Sequence, residues 1–539
     1  MRTVFAVAVA VVLGFQAYAA LINIPVAVES PEMLSAFVID EGREAGYMVE
    51  SLAAGELLVH NYQYGRAYAW LSFHAVRLLQ SLGYTEDGAS TPLVARTMRL
   101  ISLFAAGLSL AAMFALVRRL TGDACLAFLA ALLMGSLNSF YHWSQLIHPD
   151  TLQLFFLILA AAVLTTPSLP AVSLASFLAG LAFGTKHFGI FLLPFLLLAG
   201  WIYMTQSEHP RRRWVMPPAG VASFFAGWVL FNSAYLANPE AWLRSIGGLA
   251  RGLAEGLGRP EPMVQDRMEW FALLGSELSI AGSIVVGAGL VLLGTALWRH
   301  AREVNRGDVL CDNAAVFAMA AYCAASFLYL LLFVTYREGR FLLPILPFAI
   351  ALSFAGISMG FRTWGATRKV RYAIYAVLLC ALLPQNLQAV RREAHLSAKS
   401  SHPVIRAAQW MESRYSADTV VLYEKYAYVP ERLDRRIPVW GVTPMELDRV
   451  DPDVVILTRR MSGRWLWKAP QTSFEELELV EGPLGESPRT ERVARLYRFL
   501  FGPRSEFRAV FETEELVILE RVTDDVIESG RGGADDKEH

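Results

Sequence analysis

Charged residues are scarce in this chain. They make up 18% of its 539 residues, against about 25% in soluble proteins. Hydrophobic residues make up 55% and gather in long apolar runs that stop near residue 389. These runs exclude an ordinary soluble protein and predict a polytopic membrane protein with a soluble tail.

Cysteine is also scarce, and its placement excludes a disulfide framework in the tail. The four cysteines fall in or beside apolar runs: Cys125, Cys311, Cys323 and Cys380. Histidines lack the spacing of a zinc site, and the scattered ones are His60, His74, His142 and His187. The sequence therefore predicts no metal ligands and indicates no certain cofactor, although it leaves a divalent metal open.

Three further absences exclude classes of function. The net charge is −1, and no basic stripe with interleaved aromatic residues suggests nucleic acid. No glycine-rich phosphate loop follows a strand, which excludes a nucleotide-binding soluble fold. No internal repeat is present, whereas repeats are typical of many secondary transporters.

The apolar runs predict about eleven transmembrane helices. Their approximate bounds are 3–25, 93–117, 124–141, 151–166, 169–185, 187–205, 214–236, 270–298, 313–335, 341–359 and 372–389. The first run reads either as a cleaved signal peptide or as an uncleaved first span. Its apolar character continues through Ile24, which favours the span.

Lysine and arginine in the short loops predict the orientation. With the N-terminus in the cytoplasm, four basic clusters fall inside, beginning at Arg118, Arg211, Arg299 and Arg362. The long first loop, 26–92, and the tail then lie outside. The opposite orientation would place all four clusters on the wrong face.

The tail changes its pattern from long apolar runs to alternating helices and β-branched strands, which predicts a small α/β domain. The segment 404–414 predicts an amphipathic helix, and 419–423, 454–457 and 516–521 predict strands. The expected domains are a transmembrane domain at 1–389, an extracytoplasmic domain at 390–528 and a disordered tail at 529–539.

An acidic pair, Asp40-Glu41, lies in the first external loop. Taken alone, the pair is as compatible with a solvated loop end as with a catalytic carboxylate. A carboxylate in that place could act as a general base on the acceptor of a lipid-borne substrate.

Two short external turns carry further polar residues. His148-Pro149-Asp150 precedes the fourth span, where Asp150 could simply cap a helix. Lys186 and His187 lie in a turn barely long enough to leave the membrane. A lysine costs about 2.5–3.5 kcal/mol at the bilayer centre, so Lys186 either snorkels to the surface or binds a lipid phosphate.

External arginines are unusual in this chain because its arginine clusters otherwise lie inside. Arg337 and Arg340 precede the tenth span, with Glu338 between them as a partner for either one. Arg96 and Arg99 open the second span. Cations at the outer face, with acids opposite, suit an anionic lipid head group.

Collected in order, these features resemble the GT-C glycosyltransferases, of the protein O-mannosyltransferase and aminoarabinose transferase type. The resemblance covers about 1–390 in layout and, more loosely, the tail. The segments that carry it are Asp40-Glu41, 95–102, Asp150, Thr185-Lys186 and 340–347. The last begins Arg340-Phe341-Leu342-Leu343-Pro344 and is similar to the family's Arg-aromatic-Leu-x-Pro-x-x-Pro helix start.

The resemblance implies inverting transfer of a sugar from a polyprenyl-phosphate donor to a glycan, lipid or protein acceptor. The reaction would take place at the extracytoplasmic face of a bacterial inner membrane. It further implies that Asp40 is the base, that Glu41 and Asp150 orient the substrates, and that Lys186 and Arg340, with Arg337, bind the phosphate. Supporting roles would fall to Arg96, Arg99, His148 and His187.

One segment departs from the family pattern. The family often has Pro-Pro-Leu downstream of the acidic pair, where this chain has Tyr64-Gly65-Arg66-Ala67-Tyr68-Ala69-Trp70. The sequence therefore leaves the acceptor open. Two other classes also remain: a multi-span lipid or solute transporter or flippase without transferase activity, and a membrane scaffold without catalytic activity.

Overall fold

A computed structural model describes residues 2–60, 62, 64–84, 90–205, 212–254, 267–303, 313–397, 402–424, 426–439, 442, 444–458, 500, 505–513 and 516–522. By its internal contacts the chain divides into two units. The transmembrane unit comprises 1–26, 44–254 and 267–397, and the C-terminal unit comprises 27–43, 255–266 and 398–539. The predicted tail 529–539 lies outside the described residues.

The transmembrane unit is helical. Its helices are α1 (Arg2–Asn23), α4 (Ala67–Ser81), α5 (Thr91–Thr121), α6 (Ala124–Gly135), α7 (Asn138–Trp143), α8 (Asp150–Leu164), α9 (Leu169–Phe183), α10 (Leu193–Thr205), α11 (Arg212–Ala237), α12 (Pro239–Ala254), α13 (Glu269–Glu303), α14 (Ala314–Phe333), α15 (Leu346–Thr363) and α16 (Arg368–Ser397). Short 3₁₀ helices at His187–Leu192 and Gly339–Leu342 precede α10 and α15.

The predicted fold class is confirmed. Among the described residues, eight helices are long and apolar enough to cross a membrane, and three shorter apolar helices lie at Ala124–Gly135, Asp150–Leu164 and Leu169–Phe183. Each of these helices overlaps one of the predicted spans. The count of eleven crossings stays a prediction, because the three short helices do not by themselves reach the length of a span.

The first loop is more ordered than the sequence suggested. It folds into α2 (Pro31–Phe37), α3 (Ile39–Ala54) and α4. Ser30 caps α2 by accepting from the Met33 amide, and Pro31 stands in the first turn, where its missing N–H costs nothing. The boundary between the two units falls within α3, after Arg43.

Several helices of the transmembrane unit pack with their backbones almost in contact. A Cβ on Gly180 of α9 would stand 1.9 Å from the Phe224 carbonyl oxygen of α11. A Cβ on Gly356 of α15 would stand 1.9 Å from the Gly289 oxygen of α13. Small residues allow such close approach of helix backbones. Close approach is favourable in a membrane because helices associate there through van der Waals packing and not through the hydrophobic effect.

Two long helices are interrupted by non-helical residues. In α11 the interruption is at Asn232, whose side chain accepts from the Arg66 amide and donates to the Gly184 carbonyl. In α13 it is at Ser279, with φ at +57°, and its hydroxyl donates to Gln385. Side chains thus satisfy polar groups at membrane depth, as the bilayer requires.

The C-terminal unit contains a five-stranded sheet. Its strands are β1 (Val421–Glu424), β2 (Arg436–Val439), β3 (Val454–Thr458), β4 (Phe507–Glu512) and β5 (Leu516–Arg521), in the order β2-β1-β3-β5-β4. The first three are parallel, whereas β5 pairs antiparallel with β3 and β4. Strands β1, β3 and β5 match the predicted segments, and the edge strands β2 and β4 were not predicted.

Helices cover both faces of this sheet. On one face, Val421, Ile456 and Ile518 pack with α17 (Pro403–Arg414) and with Ala36 of α2. On the other face, Leu422, Val455 and Leu519 pack with Leu447 of α18 (Pro444–Val450). Alternate residues of each strand face opposite sides, so apolar runs such as 454–457 are buried on both faces.

The contact between Gly289 and Gly356 predicts the cost of a single methyl group. Gly356→Ala should lower the thermal unfolding midpoint of the detergent-purified protein, by an overpacking cost of about 1–3 kcal/mol. Gly287→Ala on α13 is the matched control, because a Cβ there meets no atom within 4 Å. Equal midpoints for the two variants would contradict backbone contact between α13 and α15.

Candidate active site

Three separated segments place polar side chains together in the transmembrane unit. Asp150 is the first residue of α8, and His148 lies two residues before it. Lys186 occupies the turn between α9 and the 3₁₀ helix that begins at His187. Arg340 lies in the 3₁₀ helix Gly339–Leu342. We call His148, Asp150, Lys186 and Arg340 the cation cluster.

Asp150 is the centre of the cation cluster. Its Oδ1 atom forms an ion pair with the Lys186 ammonium group, and its Oδ2 atom lies 2.9 Å from His148 Nδ1. The side chain of Asp150 is 4% exposed and that of Lys186 is 13% exposed. The alternative role of helix capping is wrong, because Pro149 occupies the N-cap of α8 and no side chain caps this helix.

Arg340 joins the cluster through His148 and through aromatic rings. Its Nη1 atom lies 3.3 Å from His148 Nε2, and Glu338 pairs with its Nε atom at 2.8 Å. The guanidinium carbon lies 4.9 Å from the centre of the Trp143 ring. Such a stack favours a cation whose head is partly removed from water.

Tyr64, from the segment that departs from the family pattern, completes this arrangement. Its hydroxyl lies 3.2 Å from His148 Nε2, and its ring lies 5.8 Å from the Lys186 nitrogen. The Gly65 amide donates to Thr185 and the Ala67 amide to Gly184, each at 3.1 Å. These two backbone bonds, which we call the strap, hold Tyr64 beside the lysine turn.

The electrostatics of the cluster follow from burial. Burial lowers the pKa of His148 even though Asp150 opposes the shift, so the ring is neutral at physiological pH. Its Nδ1 atom lies close to a carboxylate oxygen and must carry the proton, which leaves Nε2 as an acceptor. Tyr64 and Arg340, which both reach Nε2, can each donate to it.

Lys186 is under opposing influences. Burial lowers its pKa, Asp150 raises it, and the nearby charge of Arg340 lowers it further. The charges of Lys186 and Arg340 therefore repel one another, and because both side chains are mostly buried the repulsion is weakly screened. An anion at this place would relieve that repulsion.

Glu277 is a residue that the sequence analysis missed. It is 4% exposed, lies two residues before the break in α13, and accepts from both the amide and the hydroxyl of Ser139. A Cβ on Gly339 would stand 2.3 Å from its Oε1 atom. Glu277 therefore supports the backbone beside Arg340, and an acid inside a predicted span was the available signal.

The other predicted binding residues have separate partners. Arg337 is fully buried and pairs with Glu269 at 2.9 Å. Arg99 donates to the carbonyls of Asn23, Ile24 and Val26, near the end of α1. His187 contacts the Tyr62 carbonyl at 3.2 Å, and Arg96 is exposed on α5. Glu338, expected to pair with either arginine, pairs with Arg340.

The acidic pair lies in the first turn of α3, and its two members differ in exposure. Asp40 is 17% exposed and pairs with Arg43 at 3.0 Å. Glu41 is fully buried. Asp40 therefore keeps access to solvent that Glu41 lacks. Among the described residues, no group of three or more His, Cys, Asp or Glu side chains is placed to hold a metal ion.

Comparison with known proteins gives one match by sequence pattern. Residues 79–215 match the family model of the dolichyl-phosphate-mannose-protein mannosyltransferases. This segment includes His148, Asp150 and Lys186. No curated protein matches the chain by sequence.

Solved structures give a match over nearly the whole chain. ArnT from Cupriavidus metallidurans in the apo state is similar with a TM-score of 0.52, at 14% identity, over 97% of this chain and 98% of that one. The same protein bound to undecaprenyl phosphate gives a TM-score of 0.51 at the same identity and coverage. At this identity the likeness concerns the fold.

The family match and the shared fold together confirm the predicted resemblance. The matching family model is one of glycosyltransferases, which agrees with the predicted class of enzyme. The roles of individual residues stay predictions.

The lowered pKa of His148 predicts a pH dependence of stability. As the pH falls below about 6.5, the unfolded chain takes up a proton on this residue while the folded protein does not, so stability is lost. The thermal midpoint of the wild type should therefore fall more steeply with acidification than that of His148→Asn, which cannot titrate.

The exposed His74 provides the control for this comparison. His74→Asn should keep the wild-type slope of midpoint against pH. The burial argument is wrong if His148→Asn keeps that slope as well.

Proposed function

We propose that this membrane glycosyltransferase transfers a sugar from a polyprenyl-phosphate donor to an acceptor, with inversion at the anomeric carbon. We place the reaction at the extracytoplasmic face of a bacterial inner membrane. The observation that carries the proposal is the pair of neighbouring, mostly buried cations, Lys186 and Arg340, held around Asp150.

The cation cluster suits a phosphate for reasons of charge and geometry. Arg340 offers a planar set of N–H donors and Lys186 a compact ammonium group, a combination that binds phosphate oxygens well. Each side chain is 13% exposed, so both cations retain access to a ligand. A phosphate would also supply the negative charge that two adjacent cations favour.

The same cations would assist the reaction itself. The acceptor nucleophile attacks the anomeric carbon from the face opposite the phosphate, and the bond between that carbon and the phosphate oxygen breaks. The electron pair stays on the leaving oxygen, whose negative charge grows in the transition state. Cations already fixed by Asp150, His148 and Trp143 stabilise that charge without reorganisation.

Asp40 is our candidate for the general base. Deprotonation of the acceptor requires a carboxylate that a substrate can reach, and Asp40 retains exposure whereas Glu41 is buried. Arg43 holds the Asp40 side chain in place from one turn along α3. In this scheme Glu41 and Asp150 orient groups and do not exchange protons with the substrate.

The relatives support the choice of donor. The matching family model is that of enzymes named for dolichyl-phosphate-mannose, and ArnT was crystallised with undecaprenyl phosphate. Both lipids are polyprenyl phosphates. We therefore assign a donor of this chemical class, with the acceptor left as a glycan, a lipid or a protein.

The phosphate proposal predicts the effect of losing either cation. Lys186→Ala and Arg340→Ala should each lower the affinity for undecaprenyl phosphate about 10–100-fold, since a hydrogen bond to a charged group contributes roughly 1.5–3 kcal/mol. Binding is measured by titration of the purified protein in detergent, and gel filtration checks folding. Arg77→Ala, at an exposed position on α4, is the control. Undiminished binding in both cluster variants would exclude the phosphate site.

The base proposal separates the two members of the acidic pair. Asp40→Asn keeps the size of the side chain and an acceptor for Arg43, but the amide cannot take a proton. Turnover should fall about 10²–10⁴-fold, measured as release of undecaprenyl phosphate from a labelled undecaprenyl-phosphate sugar with a membrane extract as acceptor source. Binding of undecaprenyl phosphate should survive.

Glu41→Gln is the matched variant and should lose less turnover. A fully active Asp40→Asn protein would remove the mechanism, and a larger defect in Glu41→Gln would assign the base to the other carboxylate. Net movement of the lipid across vesicles without sugar transfer would favour the transporter alternative.

A further inference from the structure

A cavity of about 50 Å³ lies next to the cation cluster, within the transmembrane unit. Helix α3, residues 57–60 and 64–66, and Tyr235 of α11 line it. Its polar lining consists of Glu44, Tyr47, Ser51, His60, Tyr64, Arg66 and Tyr235. The mechanism described above uses none of these residues except Tyr64.

The lining matches the chemistry of a sugar better than that of a lipid chain. It contains a carboxylate, a guanidinium, a histidine ring and four hydroxyl groups, together with apolar atoms of Met48, Leu58 and Met98. A polyprenyl chain would leave the remaining hydrogen-bonding capacity of these polar groups unsatisfied, which is costly. A sugar ring offers hydroxyls that donate and accept, and C–H faces for the apolar atoms.

The walls of the cavity are held in place. The Ser51 hydroxyl donates to Tyr47 and accepts from the Leu58 amide, and the rings of Tyr47 and His60 stack with centres 4.3 Å apart. Arg66 donates to the Leu57 carbonyl at 2.6 Å. Such internal bonds reduce the ordering that a ligand must impose when it binds.

Tyr64 connects the cavity to the cation cluster. It lines the cavity, and its hydroxyl lies 3.2 Å from His148 Nε2. The strap bonds Gly65 and Ala67, which follow Tyr64 in the chain, to Thr185 and Gly184, directly before Lys186. A ligand with its phosphate on Lys186 and Arg340 would therefore have this cavity as a neighbour.

We infer that the cavity binds the sugar ring of the donor, an inference that rests on the proposed function. In a polyprenyl-phosphate sugar the ring is bonded directly to a phosphate oxygen, so the ring and the phosphate require adjoining sites. A cavity of about 50 Å³ holds roughly three to five water molecules, which is the scale of one sugar ring rather than a glycan chain.

Two charges of opposite sign give this site its selectivity. Glu44 and Arg66 both lie within electrostatic range of Tyr235. A carboxylate accepts from sugar hydroxyls and a guanidinium donates to them, so the pair distinguishes sugars by the positions of their hydroxyls. A site that hydrogen-bonds a hydroxyl strongly rejects an analogue lacking it.

The test compares three probes on the purified full-length protein: undecaprenyl phosphate, undecaprenyl-phosphate mannose and undecaprenyl-phosphate glucose. Glu44→Gln removes the negative charge from the lining of the cavity. Ala69→Leu fills the cavity, since Ala69 belongs to the lining. Each variant should weaken binding of at least one glycosylated lipid about 10–100-fold and leave bare undecaprenyl phosphate within about twofold. Ala69→Leu should weaken binding of the preferred glycosylated lipid, whichever of the two sugars the site prefers.

Glu56→Gln is the matched control, because Glu56 is exposed and lies outside the lining. It should bind all three lipids as the wild type does. Gel filtration and the thermal midpoint verify that each variant folds, and His60→Asn provides a second polar change if Glu44→Gln does not fold.

Two results would overturn the inference. One is unchanged binding of both glycosylated lipids in Ala69→Leu and in the polar variants. The other is an intact donor affinity with a raised KM for the acceptor, which would assign the cavity to the acceptor. A failure of the proposed function is distinguishable from a failure of this inference. If the proposed function is wrong, bare undecaprenyl phosphate will bind equally well to the wild type and to Lys186→Ala.

Discussion

The burial of two cations, Lys186 paired with Asp150 and Arg340 paired with Glu338, is the constraint on which the candidate site depends. An isolated buried charge is costly, and a buried charge is tolerated when it is paired and hydrogen-bonded. Asp150 meets this requirement for Lys186 directly, and it fixes the ring of His148, which in turn meets Arg340. The cluster is therefore a single electrostatic unit assembled from three distant parts of the chain.

The surrounding structure holds the side chains of the cation cluster in place. Tyr64 and Trp143 contact its members from two sides, and Glu277 supports the backbone beside Arg340. The break in α13 at Ser279 lies two residues after Glu277, so an irregular span and a buried acid occur together. A buried acid and a break would both be unfavourable in an isolated helix. Here Ser139 of α7 donates hydrogen bonds to Glu277, and Gln385 of α16 accepts one from Ser279.

Much of the fold was predictable from the sequence, because the bilayer imposes long apolar helices and the tail has alternating patterns. The bounds of β1, β3 and β5 follow from β-branched runs buried on both faces. Strands β2 and β4, at the two edges of the sheet, were missed because Pro438 and the charged residues Arg436, Arg508 and Glu512 interrupt their apolar residues. The helices of the first loop were missed because a loop was expected between two spans.

The candidate site was predicted in part. Asp150, Lys186 and Arg340 were singled out because charges near a membrane are rare, and the structure brings these three together. Arg337 was grouped with them by proximity in sequence, whereas a 3₁₀ helix turns Arg340 towards His148 and leaves Arg337 paired with Glu269. Tyr64 gave no such signal, since its importance lies in a contact across 84 residues of sequence. Glu277 was overlooked although an acid inside a predicted span is such a signal, and its partner Ser139 lies 138 residues away.

The strap between Gly65 and Thr185 limits how this protein can diverge. A Cβ at residue 65 would stand 2.0 Å from the Gly184 oxygen, so only glycine fits there. An insertion between Tyr64 and Ala67 would move the Tyr64 side chain away from the turn that carries Lys186. New substrate preferences in such a lineage would therefore arise by exchange of side chains on a backbone of fixed length, and not by remodelling of the loop.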